Sequence, residues 1–373
     1  MSTTAPPRIP PGIHNAIDYE RQAAQHLPAD RLAYIAGGCG WDQTVAANRA
    51  AFGHWAIVPR LLRDVRAGHT RLALNGQNLP HPFLLAPVAH QRLAHADAEI
   101  ATARAAEATA TCLVASTLSS EPLEAIARAM GDGPRWFQLY LQPRRADTLD
   151  LLARAESAGY SAIVLTLDAS IQLASRSALA AGFSLPPECT PANLAGYASA
   201  PQPALQPGMS RIFQGAMAHA PVWDDLAWLL AATPLPVWVK GVLHPEDARA
   251  LQAAGAAGIV VSNHGGRSLD GAPASLALLP AVRAAVGPHY PVLLDGGVRS
   301  GQDTFKALAL GANAVLIGRL QAYALAAAGA LGVAHMLTLL AEELQACMAQ
   351  AGCAVLTDIG PGALHPNLPS SPC

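Results

Sequence analysis

The segment 258–267, ending Val261-Ser262-Asn263-His264-Gly265-Gly266-Arg267, concentrates more reactive chemistry than any other stretch of the chain. An imidazole can take up a proton near neutral pH, which makes His264 a candidate general base. Arg267 offers a planar fork suited to a carboxylate. The glycines between them allow tight backbone paths beside a ligand. A base and a carboxylate clamp this close suit proton abstraction next to an acid group; the competing reading is a buried structural histidine and a surface arginine. Asp168 would fix the tautomer of His264 and stabilise its imidazolium, unless it only starts a helix. Lys240 closes an apolar run, where a buried ammonium needs an anionic partner. It suits a Schiff base or a fixed positive charge beside an electron-rich cofactor. The stretches Asp295-Gly296-Gly297-Val298-Arg299 and Gly318-Arg319 combine free backbone amides with two arginines, as a phosphate cradle requires.

These residues need a scaffold that brings them together. Eight short, almost continuously apolar runs occur at 83–87, 112–116, 136–140, 163–168, 237–240, 259–262, 292–295 and 315–318. Each reads as a strand buried on both faces. Ala- and Leu-rich helical stretches separate them, among them 97–109, 122–129, 148–158, 245–254 and 301–310. Eight β-α repeats predict an α/β protein with the (β/α)8 TIM-barrel fold, with a doubly wound sheet as its rival. Each of the last seven runs ends in a polar or functional residue: Ser116, Gln138 and Tyr140, Thr166 and Asp168, Lys240, Ser262 and His264, Asp295, Gly318 and Arg319. In a barrel these ends converge on the C-terminal mouth, and phosphate is commonly bound after strands seven and eight.

Residues 1–12 read as a flexible tail, and 13–52 as a helical extension with turns at 27–28 and 37–38. The remainder, 13–373, is expected to form one barrel domain. A long connection after strand four, 184–219, is rich in Pro, Gly, Ala and Ser and reads as a lid or as a disordered insert.

The composition narrows the function. The 373 residues are 51% hydrophobic and 13% charged with a formal net charge of −2, which favours a large core and disfavours nucleic acid as a partner. The six cysteines form no C-x-x-C pair and no metal-finger spacing, so no metal site is expected. Reduced cysteines and the lack of an apolar leader predict a cytoplasmic protein. The stretch 320–341 has no Lys, Arg, Asp or Glu, but its glycines and polar residues favour two packed helices over a membrane span.

Taken together, VSNHGGRSLD (261–270), LLDGGVRSGQDTFKALALGA (293–312), WFQLY (136–140) and VKGVLHPEDA (239–248) resemble the FMN-dependent 2-hydroxy acid oxidase and dehydrogenase family, which includes glycolate oxidase, lactate oxidase and mandelate dehydrogenase. The resemblance runs from about Tyr19 to Ile359. It implies oxidation of an L-2-hydroxy acid to the 2-oxo acid, with two electrons passing to the flavin N5 and O2 as the preferred acceptor. His264 would be the base and Asp168 its orienter. Arg267 and Tyr34 would bind the substrate carboxylate, Tyr140 would bind the hydroxyl, and Lys240 would stabilise negative charge on the reduced flavin. FMN would touch Pro87, Val88, Ala89, Ser116, Gln138, Thr166 and Ser262, and its phosphate would meet Asp295, Gly297, Arg299, Gly318 and Arg319. A homotetramer is the implied assembly.

Several positions depart from the family pattern. Ser175 stands where an arginine is usual, so either the neighbouring Arg176 enters the acid-binding site or Arg267 and Tyr34 act without it. Leu118 replaces a pocket tryptophan of glycolate oxidase and should admit a bulkier side chain. Leu320 replaces the proline that usually follows Gly-Arg, and His90 replaces a Tyr or Met near the flavin edge. The rival functions are a dehydrogenase with another electron acceptor, a non-redox FMN barrel such as an isomerase, and a binding barrel that has lost activity.

Overall fold

The computed structural model describes residues 8–198 and 204–367. Eight parallel strands close into a barrel: β1 (Phe83–Leu85), β2 (Cys112–Ser116), β3 (Arg135–Leu139), β4 (Ile163–Thr166), β5 (Val237–Val242), β6 (Gly258–Val261), β7 (Val292–Leu294) and β8 (Ala314–Ile317). Each strand pairs with its sequence neighbour, and β8 pairs with β1 to complete the ring. This is the (β/α)8 arrangement, and its strands lie within a few residues of the apolar runs.

Period-two alternation explains how the strands serve both the core and the site. Leu84, Cys112, Val114, Trp136, Val164, Trp238, Val260, Leu293, Ala314 and Leu316 fill the barrel interior, closed below by Leu74 and Leu79 of the hairpin formed by Leu72–Leu74 and Gln77–Leu79. Trp136 and Trp238 lie with ring centroids 4.8 Å apart in that interior. Ser116, Gln138, Thr166, Lys240, Ser262, Asp295 and Gly318 stand two residues beyond an inward-facing residue of their own strand. The same register that packs the lower barrel therefore places the polar groups at its mouth.

Helices α4 (Ala98–Ala108), α5 (Leu123–Met130) and α6 (Arg145–Ser157) follow β1 to β3. The short helix α7 (Arg176–Ala180) and α8 (Trp223–Ala232) lie between β4 and β5, and α9 (Pro245–Ala253), α10 (Ser275–Val286), α11 (Gly301–Ala309) and α12 (Arg319–Ala351) follow β5 to β8. Their caps are legible: Pro245 occupies the first turn of α9, and the Ser300 hydroxyl accepts from the Asp303 amide at the start of α11. Among the described residues α12 alone is long and apolar enough to cross a membrane. It breaks at Ala328 and Gly329, where the backbone leaves helical geometry, and so consists of the two helical segments the sequence suggests.

Among the described residues three α-helices precede the barrel: α1 (Asp18–His26), α2 (Ala29–Ala36) and α3 (Gln43–Ala50). Their breaks match the turn signals at 27–28 and 37–38. Helix α3 buries polar Thr44 and Asn48, one turn apart on a single face, against the turn after β6. The connection 184–219 holds short helical turns at Pro187–Cys189, Ala192–Leu194 and Arg211–Ala216. Its first half is fixed by buried Asn193, whose amide donates to the Ser116 and Thr117 carbonyls and whose oxygen accepts from the Leu123 amide at 2.7 Å. Within this connection and the predicted tail, residues 199–203 and 1–7 lie outside the described residues, as does Cys373.

Candidate active site

The mouth of the barrel opens into a pocket lined by groups from seven strand ends and from α2. At its centre His264 Nδ1 lies 2.8 Å from Asp168 Oδ1. Burial alone would raise the Asp168 carboxyl; the charges of Lys240 and His264 and the hydrogen bond outweigh it and hold Asp168 below the usual carboxylate range. An ionised Asp168 accepts the Nδ1 proton and leaves Nε2 as the basic nitrogen. Gly241 makes room for this carboxylate. Its φ is +105° at a register shift in β5, and a Cβ there would come within 2.6 Å of Asp168 Cβ.

Lys240 is buried, with Nζ 3.0 Å from Asp295 Oδ2 and 2.9 Å from Ser262 Oγ. Burial pulls its pKa down, but Asp295 and Asp168 overcome this and keep it raised, so the ammonium is charged. The Ser262 hydroxyl also accepts from the His264 amide at 3.0 Å, which ties the positive charge and the base to one side chain. Burial pushes the Tyr140 phenol up to about 12, so it remains a hydrogen-bond donor.

On the opposite wall Arg267 donates through Nη1 to the carbonyls of Tyr34 and Gly37, both at 2.9 Å, and its guanidinium lies 4.6 Å from the Tyr34 ring centroid. The far face of Tyr34 stacks on Phe183 at 4.2 Å. Arg319 donates to the carbonyls of Ile35, Gly37 and Gly265. Burial, then Arg267 and Arg299, pull its pKa down to about 10. Arg299 pairs with Glu20 at 3.1 Å, and its own amide donates to Asp303. Pro87, Val88, Ala89, Leu118, Gly297 and Gly318 complete the pocket wall with these groups.

Arg176 is the one expected site residue that the structure places elsewhere. Ser175 caps α7, its hydroxyl accepting from the Ala178 amide and lying 2.6 Å from Ser177 Oγ. Arg176 is thereby the first residue of that helix, and its guanidinium lies 3.8 Å from the ring centroid of Trp41, outside the pocket. Leu320 is buried in the first turn of α12. His90 lines the pocket with φ +53°, its imidazole pKa lowered by burial. Gln172, Ile35 and Ala322 also line it and were not singled out from the sequence. Asn48 was missed as well, although a polar pair at 44 and 48 on an otherwise ordinary helix was its available signal.

The sequence profile of a family described as FMN-dependent dehydrogenase matches residues 23–366. An L-lactate oxidase of Alicycliphilus denitrificans is 76% identical over 363 residues, 96% of this chain and 98% of that protein. Glycolate oxidase 1 of Zea mays is 41% identical over 349 residues, 93% of this chain and 94% of that protein. A crystal structure of mandelate oxidase with (S)-2-phenylpropionate superposes with a TM-score of 0.84 at 41% identity, covering 94% of this chain and 97% of that one. The chain belongs to the FMN-dependent 2-hydroxy acid oxidase and dehydrogenase family.

The residues present fit that cofactor. Gln138 Nε2, Thr166 Oγ1 and Asp295 Oδ1 are buried polar atoms without a partner among the described residues, as expected where a polar ring system binds. Arg267, Arg299 and Arg319 line the same pocket, and burial together with the two neighbouring arginine charges lowers the Arg319 pKa, an electropositive surface suited to a phosphate. Backbone space is kept at Gly297, where φ is +88° and a Cβ would lie 2.3 Å from the Asn48 carbonyl oxygen.

Proposed function

We propose that this protein oxidises L-lactate, or a 2-hydroxy acid of similar size, to the 2-oxo acid and passes the electrons to O2, releasing hydrogen peroxide. The observation that carries the reading is the 2.8 Å His264–Asp168 pair in a pocket also lined by Tyr140, Arg267 and Lys240. Bound FMN supplies the two-electron acceptor. His264 Nε2 takes the substrate proton, and the imidazolium is stabilised by ionised Asp168. Tyr140 donates to the substrate hydroxyl oxygen. Arg267 and Tyr34 hold the carboxylate and so orient the reacting carbon. Lys240 supplies a positive charge that is already in place when negative charge develops on the cofactor. Ser116, Gln138, Thr166 and Ser262 would hold the ring system, and Gly297, Arg299, Gly318 and Arg319 the phosphate.

The substrate assignment is supported by the 76% identity to an L-lactate oxidase and by the apolar wall of Val88, Ala89 and Leu118. We take the described residues 13–198 and 204–367 as one folding unit, supported by the closure of all eight strands into a single barrel. A homotetramer is proposed from the family. A cytoplasmic location is proposed from Cys39, Cys112, Cys189, Cys347 and Cys353, all free thiols.

The test is direct. Purified FMN-loaded protein should bleach when L-lactate is added without oxygen, then recolour and release an equivalent of peroxide on aeration. A panel of 2-hydroxy acids, glycolate and mandelate included, ranks the side chains. Yellow protein that no member of the panel bleaches would refute the oxidation; bleaching without peroxide on aeration would refute O2 as acceptor.

A further inference from the structure

His264 occupies a conformation that L-residues with side chains avoid. Its φ is +57°, and Gly265 and Gly266 follow at +63° and +84°. Gly265 and Gly266 take this geometry at little cost, but a left-handed histidine persists only where the surroundings over-determine it. The Asp168 hydrogen bond orients the ring but does not fix this backbone.

The fixing groups lie on the far side of the turn. Asn263 and Asn48, each 2% exposed, form a reciprocal amide pair. Asn48 Nδ2 donates to Asn263 Oδ1 at 2.8 Å, and Asn263 Nδ2 donates to Asn48 Oδ1 at 2.9 Å. Both amide oxygens and the second Asn263 amide hydrogen are also used within the same turn or its return path. Asn263 Oδ1 also accepts from the Gly266 amide at 3.1 Å, which closes the left-handed run, and Nδ2 also donates to the Pro273 carbonyl at 3.0 Å. Asn48 Oδ1 also accepts from the Ser275 amide at 3.2 Å, and the Ser275 hydroxyl accepts from the Asn263 amide. Only a primary amide offers a donor and an acceptor at this length, so neither residue can be replaced without orphaning a buried group.

Asn48 faces the cofactor side too. A Cβ on Gly296 would lie 3.3 Å from its side chain, and the closest approach to Gly297 is to its backbone oxygen. The adjacent Arg49 donates to the Gly297 carbonyl. One residue of an N-terminal helix thus abuts both the turn that carries the base and the turn after β7.

We propose that Asn48 is a positioning residue for the reaction: paired with Asn263, it holds His264 in its left-handed conformation and keeps that turn in register with the Asp295–Gly297 turn. The proposal rests on the oxidase reading above. Because the reaction needs His264 at one place, a displaced turn should slow the chemical step more than it weakens carboxylate binding, since Arg267, although it ends the same turn, is also held from outside it by the Tyr34 and Gly37 carbonyls.

The experiment measures anaerobic flavin bleaching at saturating L-lactate for the parent, Asn48→Ala, Asn263→Ala and the double variant. Each single variant should bleach about 10- to 100-fold more slowly with KM changed far less. The double variant should be no slower than the worse single, because the two amides act as one unit. Independently of turnover, the downfield proton resonance of His264 Nδ1–H should shift or broaden in Asn48→Ala. Asn313→Ala is the stability control. Asn313 accepts from the Val292 amide and from Arg283 at the opposite end of the barrel, so its loss should lower Tm without slowing bleaching. If Asn48→Ala does not fold, Asn48→Asp keeps the acceptor, loses the amide donor and adds a carboxyl charge, and should show the same slow bleaching. Bleaching of Asn48→Ala or Asn48→Asp at the parent rate, fully multiplicative single effects, or equal slowing in Asn313→Ala would each overturn the proposal. A parent that does not bleach would instead overturn the oxidase reading.

Discussion

The two walls of the pocket are built in different ways. On the base side, His264, Asp168, Lys240, Ser262 and Asp295 sit at or just past strand ends and are tied by hydrogen bonds and ion pairs of 2.8–3.0 Å. On the acid side, Tyr34 comes from a helix before the barrel, and its ring lies between the guanidinium of Arg267 and Phe183 at the root of the long connection. Strands fix side chains to fractions of an ångström because both neighbours constrain them; a wall assembled from helix ends and loops depends on several weaker contacts. Chemistry is thus set on the rigid wall, and the hold on the substrate carboxylate on the adaptable one.

If that division holds, the largest losses come from the rigid wall. His264→Ala should slow anaerobic flavin bleaching by about 10²- to 10⁴-fold, the usual contribution of a positioned base. Stopped-flow absorbance would measure it, and a parent-like rate would remove His264 from its role.

Asp295→Asn comes next and reads out in stability. It leaves the buried ammonium of Lys240 without its nearest counter-charge, at a cost of about 3–5 kcal/mol in denaturant unfolding near neutral pH. The pH dependence follows from the direction of the shift. The folded pKa of Lys240 lies above its ordinary 10.5, so its contribution is complete below that value and is lost as pH rises through the folded pKa. Asp168 works in the opposite sense: its contribution is present above the ordinary 3.8 and is lost as pH falls through the lowered folded pKa. The gap between parent and Asp295→Asn should therefore narrow in alkali, with Asp168 and Tyr140 the other titratable groups acting on Lys240. A gap that is flat from neutral to strongly alkaline pH would show that the pair does not carry the difference.

The same contrast explains what could be read from the sequence. Strand ends are legible because apolar runs, their period of two and the residue after each run determine which side chains reach the mouth. Ser116, Gln138, Thr166, Lys240, Ser262 and Asp295 all follow from that. The role of Asn48 was not legible beyond the polar pair at 44 and 48, because its partner lies 215 residues away and only the folded chain brings α3 onto the β6 turn. Which of the two alternatives for Arg176 applies was not legible for a related reason. Its sequence position is near that of the usual arginine, but Ser175 caps α7 and the Arg176 guanidinium lies on Trp41, a contact between distant residues that only the folded chain reveals.

The adaptable wall supplies the two smaller effects. Arg267→Lys exchanges a planar fork for a point charge and loses hydrogen bonds to Tyr34 and Gly37 as well as to a bound carboxylate. Charge-assisted hydrogen bonds contribute about 1.5–3 kcal/mol, so KM should rise roughly 10- to 100-fold, with kcat changed less. Arg176→Ala should have almost no effect on KM, less than about 2-fold. Its guanidinium lies on Trp41, a largely exposed ring, where a cation–π contact contributes only about 0.5–1 kcal/mol and only to local stability. Steady-state kinetics on the two variants in parallel decide how the acid is held. A rise in KM for Arg176→Ala close to that of Arg267→Lys would mean that α7 turns on substrate binding and brings its first residue into the pocket. The acid wall would then be assembled by the substrate. Near-silence at Arg176 beside a clear effect at Arg267 would mean that the wall is complete beforehand, with Ser175 serving the helix and not the substrate.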